Sequence, residues 1–239
     1  MSAPILETRQ LRKSFGGVHA IDRVDFKLAE GELRCLIGPN GAGKSTFFKM
    51  LTGQHQPTSG QILFKGKDVS RAAPHEIGRL GIGIKNQVPD VFDGLSVYEN
   101  LSLAARFAHA KQAAKRKVEE VVERVALSDV LSRSVGELAH GQRQWVEIAM
   151  VVAREPRLVL LDEPSAGMSV EETARTAELI REINREATVV VVEHDMQFIR
   201  SIATMVTVFH QGRILVEETV EKALSDQRVR DVYLGRSAA

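Results

Sequence analysis

A chain of 239 residues suits one large domain or a domain with a subdomain, and its 44% apolar content is enough to bury a core. Its 32 basic and 31 acidic residues leave a formal net charge of +1, which excludes bulk electrostatic attraction to nucleic acid or to an anionic membrane surface. No apolar run approaches the ~20 residues that span a bilayer, and Met1 to Lys13 lacks the shape of a signal peptide.

The single cysteine, Cys35, has no internal disulfide partner and reads as a buried small hydrophobe. The expected compartment is cytoplasmic, with any membrane role coming through a partner. Ile5 to Leu28 reads as two short strands about a turn at Gly16-Gly17. Phe15, just before that turn, is either core or a face for base stacking.

After a turn at Glu30-Gly31-Glu32, the apolar run Leu33 to Ile37 reads as a strand, and Ser45 to Thr52 as a helix. Between them stand Gly38, Pro39, Asn40, Gly41, Ala42, Gly43, Lys44, Ser45 and Thr46. The pattern G-x-x-x-x-G-K-[ST] in strand–loop–helix context is a P-loop. A polyphosphate needs many donors close together, and glycines at 38, 41 and 43 let backbone N–H groups curl round it. The helix N-terminus adds the positive end of its dipole. Lys44 would reach the β- and γ-phosphates, and the Ser45 hydroxyl would ligate Mg2+. The expected ligand is a nucleoside triphosphate.

Pro57 to Gly60 is a turn and Gln61 to Phe64 a short strand. Gly81 to Gln87 is a strand ending on the polar pair Asn86-Gln87, and a loop containing Pro and Gly follows. Ser96-Val97-Tyr98-Glu99 is a capping box that starts a helix running to about Ala108. Lys111 to Ala126, apolar at 118, 121, 122 and 125, is a solvated amphipathic helix and not a nucleic-acid patch. Residues 88–153 thus read as a helical insertion into an α/β domain made of 1–87 and 154–239.

Leu158 to Leu161 is a buried strand ending on Asp162-Glu163-Pro164. A helix spans roughly 170 to 186, and Val189 to Val192 is a second buried strand ending on Glu193-His194-Asp195. The last quarter holds a hairpin about Gln211-Gly212 and short helices. Ligands of open α/β sheets bind at such strand ends. Asp162 suits Mg2+, and Glu163 suits the polarising of an attacking water, unless both merely cap the next helix. His194 either donates to the developing γ-phosphate charge or is structural.

The P-loop, Gln87, Gly141-Gln142, Leu158 to Glu163 and His194 together resemble, in order and spacing, the ATP-binding subunits of ABC transporters. The likeness covers essentially the whole chain. It implies a P-loop NTPase core, a mixed sheet with helices on both faces plus an antiparallel β subdomain, and an inserted helical subdomain. Phe15 then looks like the aromatic that stacks on adenine. Gln87 matches the glutamine that contacts Mg2+ and the attacking water. Ala139, His140, Gly141 and Gln142 align with the signature LSGGQ. Asp162, Glu163 and His194 match the metal-holding aspartate, the catalytic glutamate and the switch histidine, and Ser165 to Ser169 the D-loop.

In that family two subunits pair head to tail, each ATP lying between one P-loop and the partner's signature. The implied partners are a second ATP-binding subunit, as homo- or heterodimer, two transmembrane permease subunits and, indirectly, a periplasmic binding protein. Nucleic acid is not among them. The implied location is peripheral, on the inner face of the cell membrane. Val88 to Asn100 either receives coupling helices of the permease or is an ordinary surface loop.

Ala139 and His140 stand where the signature usually has serine and glycine, Ser169 where the D-loop has aspartate, and Asn86 where an aromatic precedes Gln87. Loss of the serine hydroxyl removes a charge-assisted hydrogen bond worth on the order of 1.5–3 kcal/mol. This predicts a competent P-loop site here and a weaker site completed by this signature.

Phe15 to Ala20, Gly31-Glu32-Leu33 and Ser165 to Met168 resemble importers of hydrophobic and branched-chain amino acids. His140 to Ile148, Val192 to Met196 and Val232 to Arg236 look like the urea and short-chain amide branch. A soluble ABC-type ATPase and a weakly hydrolysing regulatory subunit are the alternatives. The first commonly carries two halves or long coiled-coil insertions, which this chain lacks. Ala139 keeps the second open.

Overall fold

Thr188-Val189-Val190-Val191-Val192 shows why the central sheet forms where it does: five β-branched residues in a row, every one buried, fit a strand covered on both faces. The computed structural model describes residues 3–233, so Leu234 to Arg236 of the terminal run lie outside the described residues.

In chain order the elements begin with β1 (Leu6–Phe15), β2 (Val18–Leu28), β3 (Leu33–Ile37), α1 (Lys44–Leu51), β4 (Ser59–Phe64) and β5 (Lys67–Asp68). Next come α2 (Pro74–Arg79), β6 (Ile82–Lys85), α3 (Val97–Ala108), α4 (Lys111–Val125) and α5 (His140–Val152). The last third holds β7 (Leu158–Asp162), α6 (Val170–Asn184), β8 (Thr188–Val192), α7 (Met196–Ile202), β9 (Met205–His210), β10 (Arg213–Thr219), α8 (Val220–Ser225) and α9 (Gln227–Tyr233).

Six strands form one sheet in the order β10-β9-β3-β8-β7-β6, parallel except for the antiparallel β9–β10 hairpin. The other four form an antiparallel sheet ordered β2-β1-β4-β5. Strand period divides the core in two. Cys35, Ile37, Val159, Leu161, Val189 and Val191 face a cluster shared with the helices between β6 and β8. Leu36, Leu160, Val190, Val192 and Phe209 face the other way, onto Phe47 and Phe48 of α1 and onto Leu11, Ile21 and Phe26 of the antiparallel sheet. Each such side chain contributes about 1.5–3 kcal/mol when fully buried.

The expected mixed sheet with helices on both faces and a separate antiparallel sheet is therefore what the chain forms. Between β6 and β7 every regular element is helical. Two short segments, β5 and α2, fall in a stretch whose periodicity is too brief to read. No helix among the described residues is long and apolar enough to cross a membrane.

Candidate active site

The loop from β3 to α1 needs its glycines for two separate reasons. Gly38, Gly41 and Gly43 have φ of +145°, +78° and +106°, the region that side chains disfavour. A Cβ on Gly38 would also lie 2.3 Å from Phe209 O, and one on Gly43 would lie 2.7 Å from Ala20 O. Close packing under the loop thus fixes its shape. The Ala42 N–H donates to Pro39 O at 3.2 Å, and Ala42 O accepts from Gly212 N at 2.9 Å.

Gly43 offers α1 no side-chain cap and the first turn carries no acid, so the helix N-terminus keeps its attraction for anions. Lys44, half-buried, donates from Nζ to Gly38 O at 2.6 Å and Pro39 O at 3.1 Å, curling over the loop. Burial holds its ammonium below the usual range, while Glu163 and Asp162 pull it back up. Ser45 and Asn40 are exposed.

Strand order then assembles the rest. β8, β7 and β6 are adjacent and parallel, so the residues just past their C-terminal ends stand in a row. Glu163, one residue past β7, has φ +45°, uncommon for a side-chain-bearing residue, and its N–H donates to Val192 O at 2.9 Å. Gln87 Nε2 donates to Glu163 Oε2 at 2.8 Å. His194 Nδ1 lies 3.6 Å from Glu163 Oε1. One carboxylate is therefore flanked on both oxygens by groups from the neighbouring strand ends.

Asp162 is buried at the end of β7. Burial, and next the Glu163 carboxylate, push its carboxyl up to about 6, against the pull of Lys85 and Lys49. No group of three His, Cys, Asp or Glu side chains among the described residues is placed to hold a metal ion. The donor set, one buried carboxylate with Ser45 and Gln87 nearby in the chain's motifs, suits Mg2+ that arrives on phosphates, because Mg2+ takes few protein ligands and keeps waters.

Phe15 is 45% exposed, its edge against His55 at 5.4 Å and Lys13 Nζ 4.9 Å from its ring, so it is not core. Ala139 to Gln142 stand at the start of α5, and no hydrogen bond among the described residues joins them to the phosphate loop. Two of them meet the chain after β7 instead: His140 at Ala166 and Gly141 at Glu172 of α6. His140 Nε2 lies 3.1 Å from Ala166 O. A Cβ on Gly141 would lie 2.3 Å from Glu172 Oε1, which accounts for that glycine. Ala139 N–H donates to Gln142 Oε1 at 3.3 Å, half of a capping box whose other half needs a hydroxyl that alanine lacks. Ser169 does cap: its Oγ accepts from Glu172 N at 3.2 Å, and Glu172 Oε2 accepts from Ser169 N at 2.9 Å.

Three buried charged residues had no role in the sequence reading. Glu193 accepts from Ser165 N at 3.3 Å and from His194 N at 2.9 Å, tying the turn after β7 to the segment after β8. Lys85 and Glu147 lie behind Asn86-Gln87. Burial pushes the Glu147 carboxyl up to about 7, against the pull of Lys85 and of the Asp90 and Asn86 amides. Glu193 adjoins a motif and was open to notice; Lys85 and Glu147, far apart in the chain, carry no local signal.

Fold and site geometry together define a P-loop nucleoside triphosphatase of the ATP-binding cassette type. Solved structures agree: a nucleotide-free ATP-binding cassette from an ABC transporter has TM-score 0.86 at 26% identity, covering 96% of this chain and 98% of that one. The ADP conformation of another such cassette has TM-score 0.87 at 27% identity, covering 98% and 100%. Residues 21–166 match the family described as ABC transporter. The high-affinity branched-chain amino acid transport ATP-binding protein BraF of Pseudomonas aeruginosa is 35% identical, covering 99% of this chain and 100% of its own length. The ribose import ATP-binding protein RbsA 1 of Rubrobacter xylanophilus is 36% identical, covering 98% of this chain and 48% of its own length. This chain belongs to the ABC transporter family. It is an ATP-binding domain of the kind that hydrolyses ATP in transporter complexes.

Proposed function

We propose that this chain is the ATP-hydrolysing subunit of an importer for branched-chain amino acids or for the chemically related amides and urea. The observation that carries the hydrolytic part is the convergence of Gln87 and His194 on Glu163, beside the phosphate loop. Phe15 stacks on adenine, and Gly38 to Thr46 wrap the phosphates. Ser45, Gln87 and Asp162 would hold Mg2+, which would supply neutralisation of the polyphosphate charge. Glu163 accepts hydrogen bonding from the attacking water and orients it, and Gln87 holds the Glu163 carboxylate in place. His194, two-thirds exposed, is free to turn toward the γ-phosphate and donate to it.

The amino acid importer reading rests on BraF and on LivG of Escherichia coli, the latter 32% identical over 99% of this chain. The urea and amide branch rests on the likeness of His140 to Ile148, Val192 to Met196 and Val232 to Arg236. Residues 88–153 serve as the signature-bearing helical unit. Val88, Phe92, Leu103 and Phe107, exposed apolar side chains about the loop after β6 and on α3, support permease docking and with it a peripheral place on the inner membrane face. A second ATP-binding subunit completes each ATP site, and a periplasmic binding protein delivers solute.

A regulatory subunit that binds ATP and scarcely hydrolyses it is the second reading, favoured by the uncapped Ala139. One experiment separates them: solute-stimulated ATP hydrolysis in the purified transporter with Lys44→Ala or Glu163→Gln in this chain alone. Either change is expected to lower turnover by at least about a hundredfold. Near-normal turnover in both would overturn the hydrolytic reading in favour of the regulatory one.

A further inference from the structure

We propose that Lys85 and Glu147 form a positioning pair that sets Gln87 against Glu163. The inference rests on the roles given above to those two residues. Lys85 closes β6 with no exposed surface, and its Nζ donates to Asn86 O at 2.8 Å and to Asp162 O at 3.2 Å. Glu147, on α5, is 3% exposed. Its Oε1 accepts from Asn86 N at 3.3 Å and from Asp90 N at 3.1 Å.

The pair therefore grips both peptide groups of Asn86, the N–H from α5 and the C=O from the end of β6. The second of those peptides carries the nitrogen of Gln87. Lys85 also fixes the carbonyl of Asp162, whose peptide carries the nitrogen of Glu163. The donor Gln87 and its acceptor Glu163 are thus located by one buried ammonium and one buried carboxylate.

Packing alone does not ask for these residues. A buried ion pair is commonly no more stabilising than apolar side chains of the same volume. Here the two charges are 4.0 Å apart, beyond hydrogen-bond reach, and Glu147 Oε2 has no hydrogen-bond partner among the described residues. The groups that the pair does bond are backbone atoms next to the reacting residues. Its geometry fits an anchor for that backbone better than a stabilising ion pair.

The test uses the transporter purified from its native membrane through a tag on this chain, with Mg·ATP as substrate. Glu147→Leu, which removes the acceptor for both amides, is expected to lower kcat about tenfold with the KM for ATP changed by less than about twofold. Glu147→Gln keeps a carbonyl acceptor and is expected to stay within about threefold of the parent. Combined with Gln87→Ala, the Leu variant is expected to add little further loss, because both act on one contact. Amide hydrogen exchange over residues 86–90, read on the full chain, should speed up in the Leu variant and not in the Gln variant. Unchanged kcat in Glu147→Leu, full additivity with Gln87→Ala, or a loss confined to KM would overturn the proposal. Full turnover in Gln87→Ala alone would instead sink the role given to Gln87, whatever the exchange data show of the anchor.

Discussion

Glu163 combines a left-handed backbone with a carboxylate flanked on both oxygens, and its neighbour Asp162 holds a carboxyl that burial pushes up to about 6. Residues at the strand ends are thus tuned by what surrounds them, not by their identity alone. Glu147 gives a case with a measurable sign. Its carboxyl stands at about 7 in the folded chain against an ordinary value of 4.5. A raised acid favours the folded state fully below pH 4.5, and that contribution is lost as pH rises through 7. Glu147→Gln should therefore flatten the fall in stability of the isolated chain between pH 5 and 8, by about 2 kcal/mol. Urea titrations at the two pH values check this, and parallel curves for parent and variant would refute it. The raised value was illegible in sequence, since its cause is the packing of α5 against β6.

At the scale of elements, three helices begin at sites that test the capping rule. α3 begins at Ser96 with a full box, in which Ser96 Oγ accepts from Glu99 N at 3.2 Å and Ser96 N donates to Glu99 Oε2 at 2.8 Å. α6 begins at Ser169 in the same way, so Ser169 has a local structural task. α5 begins at Ala139 with half a box. Ser169→Ala should cost about 1 kcal/mol of stability by thermal or urea unfolding. Ala139→Ser should stabilise α5 by a similar amount. The same change should raise turnover of the assembled transporter if the signature hydroxyl reaches the partner's γ-phosphate. Unchanged turnover would show that the altered signature does not limit the reaction. The Ser96-Glu99 box was readable because a cap spans four residues; Ser169-Val170-Glu171-Glu172 carries the same pattern before the helix expected from about 170, and was equally legible.

The whole molecule is organised by one sheet covered on both sides. The helices between β6 and β7 share an apolar cluster with Cys35, Ile37, Val159 and Leu161 of that sheet. Trp145, the only tryptophan, stands in that cluster, with its Nε1 donating to Thr176 Oγ1 of α6 at 2.9 Å. Shared burial predicts cooperative unfolding, so Trp145 emission and far-ultraviolet circular dichroism should give one midpoint. Two separated midpoints would mean that residues 88–153 unfold as a unit of their own. By itself the sequence determined the phosphate loop, the acidic and histidine strand ends, and the alternation of strands with helices. Each is written in neighbouring residues, where backbone geometry and hydrophobic period act locally. The tertiary structure alone decided that Phe15 is exposed, that Gln87 bonds Glu163 across 76 positions, and that Lys85 and Glu147 lie buried behind them. Those facts depend on which strands pair and which helix covers them. Pairing is a balance of burial and hydrogen bonding over the whole chain, and no local stretch carries it.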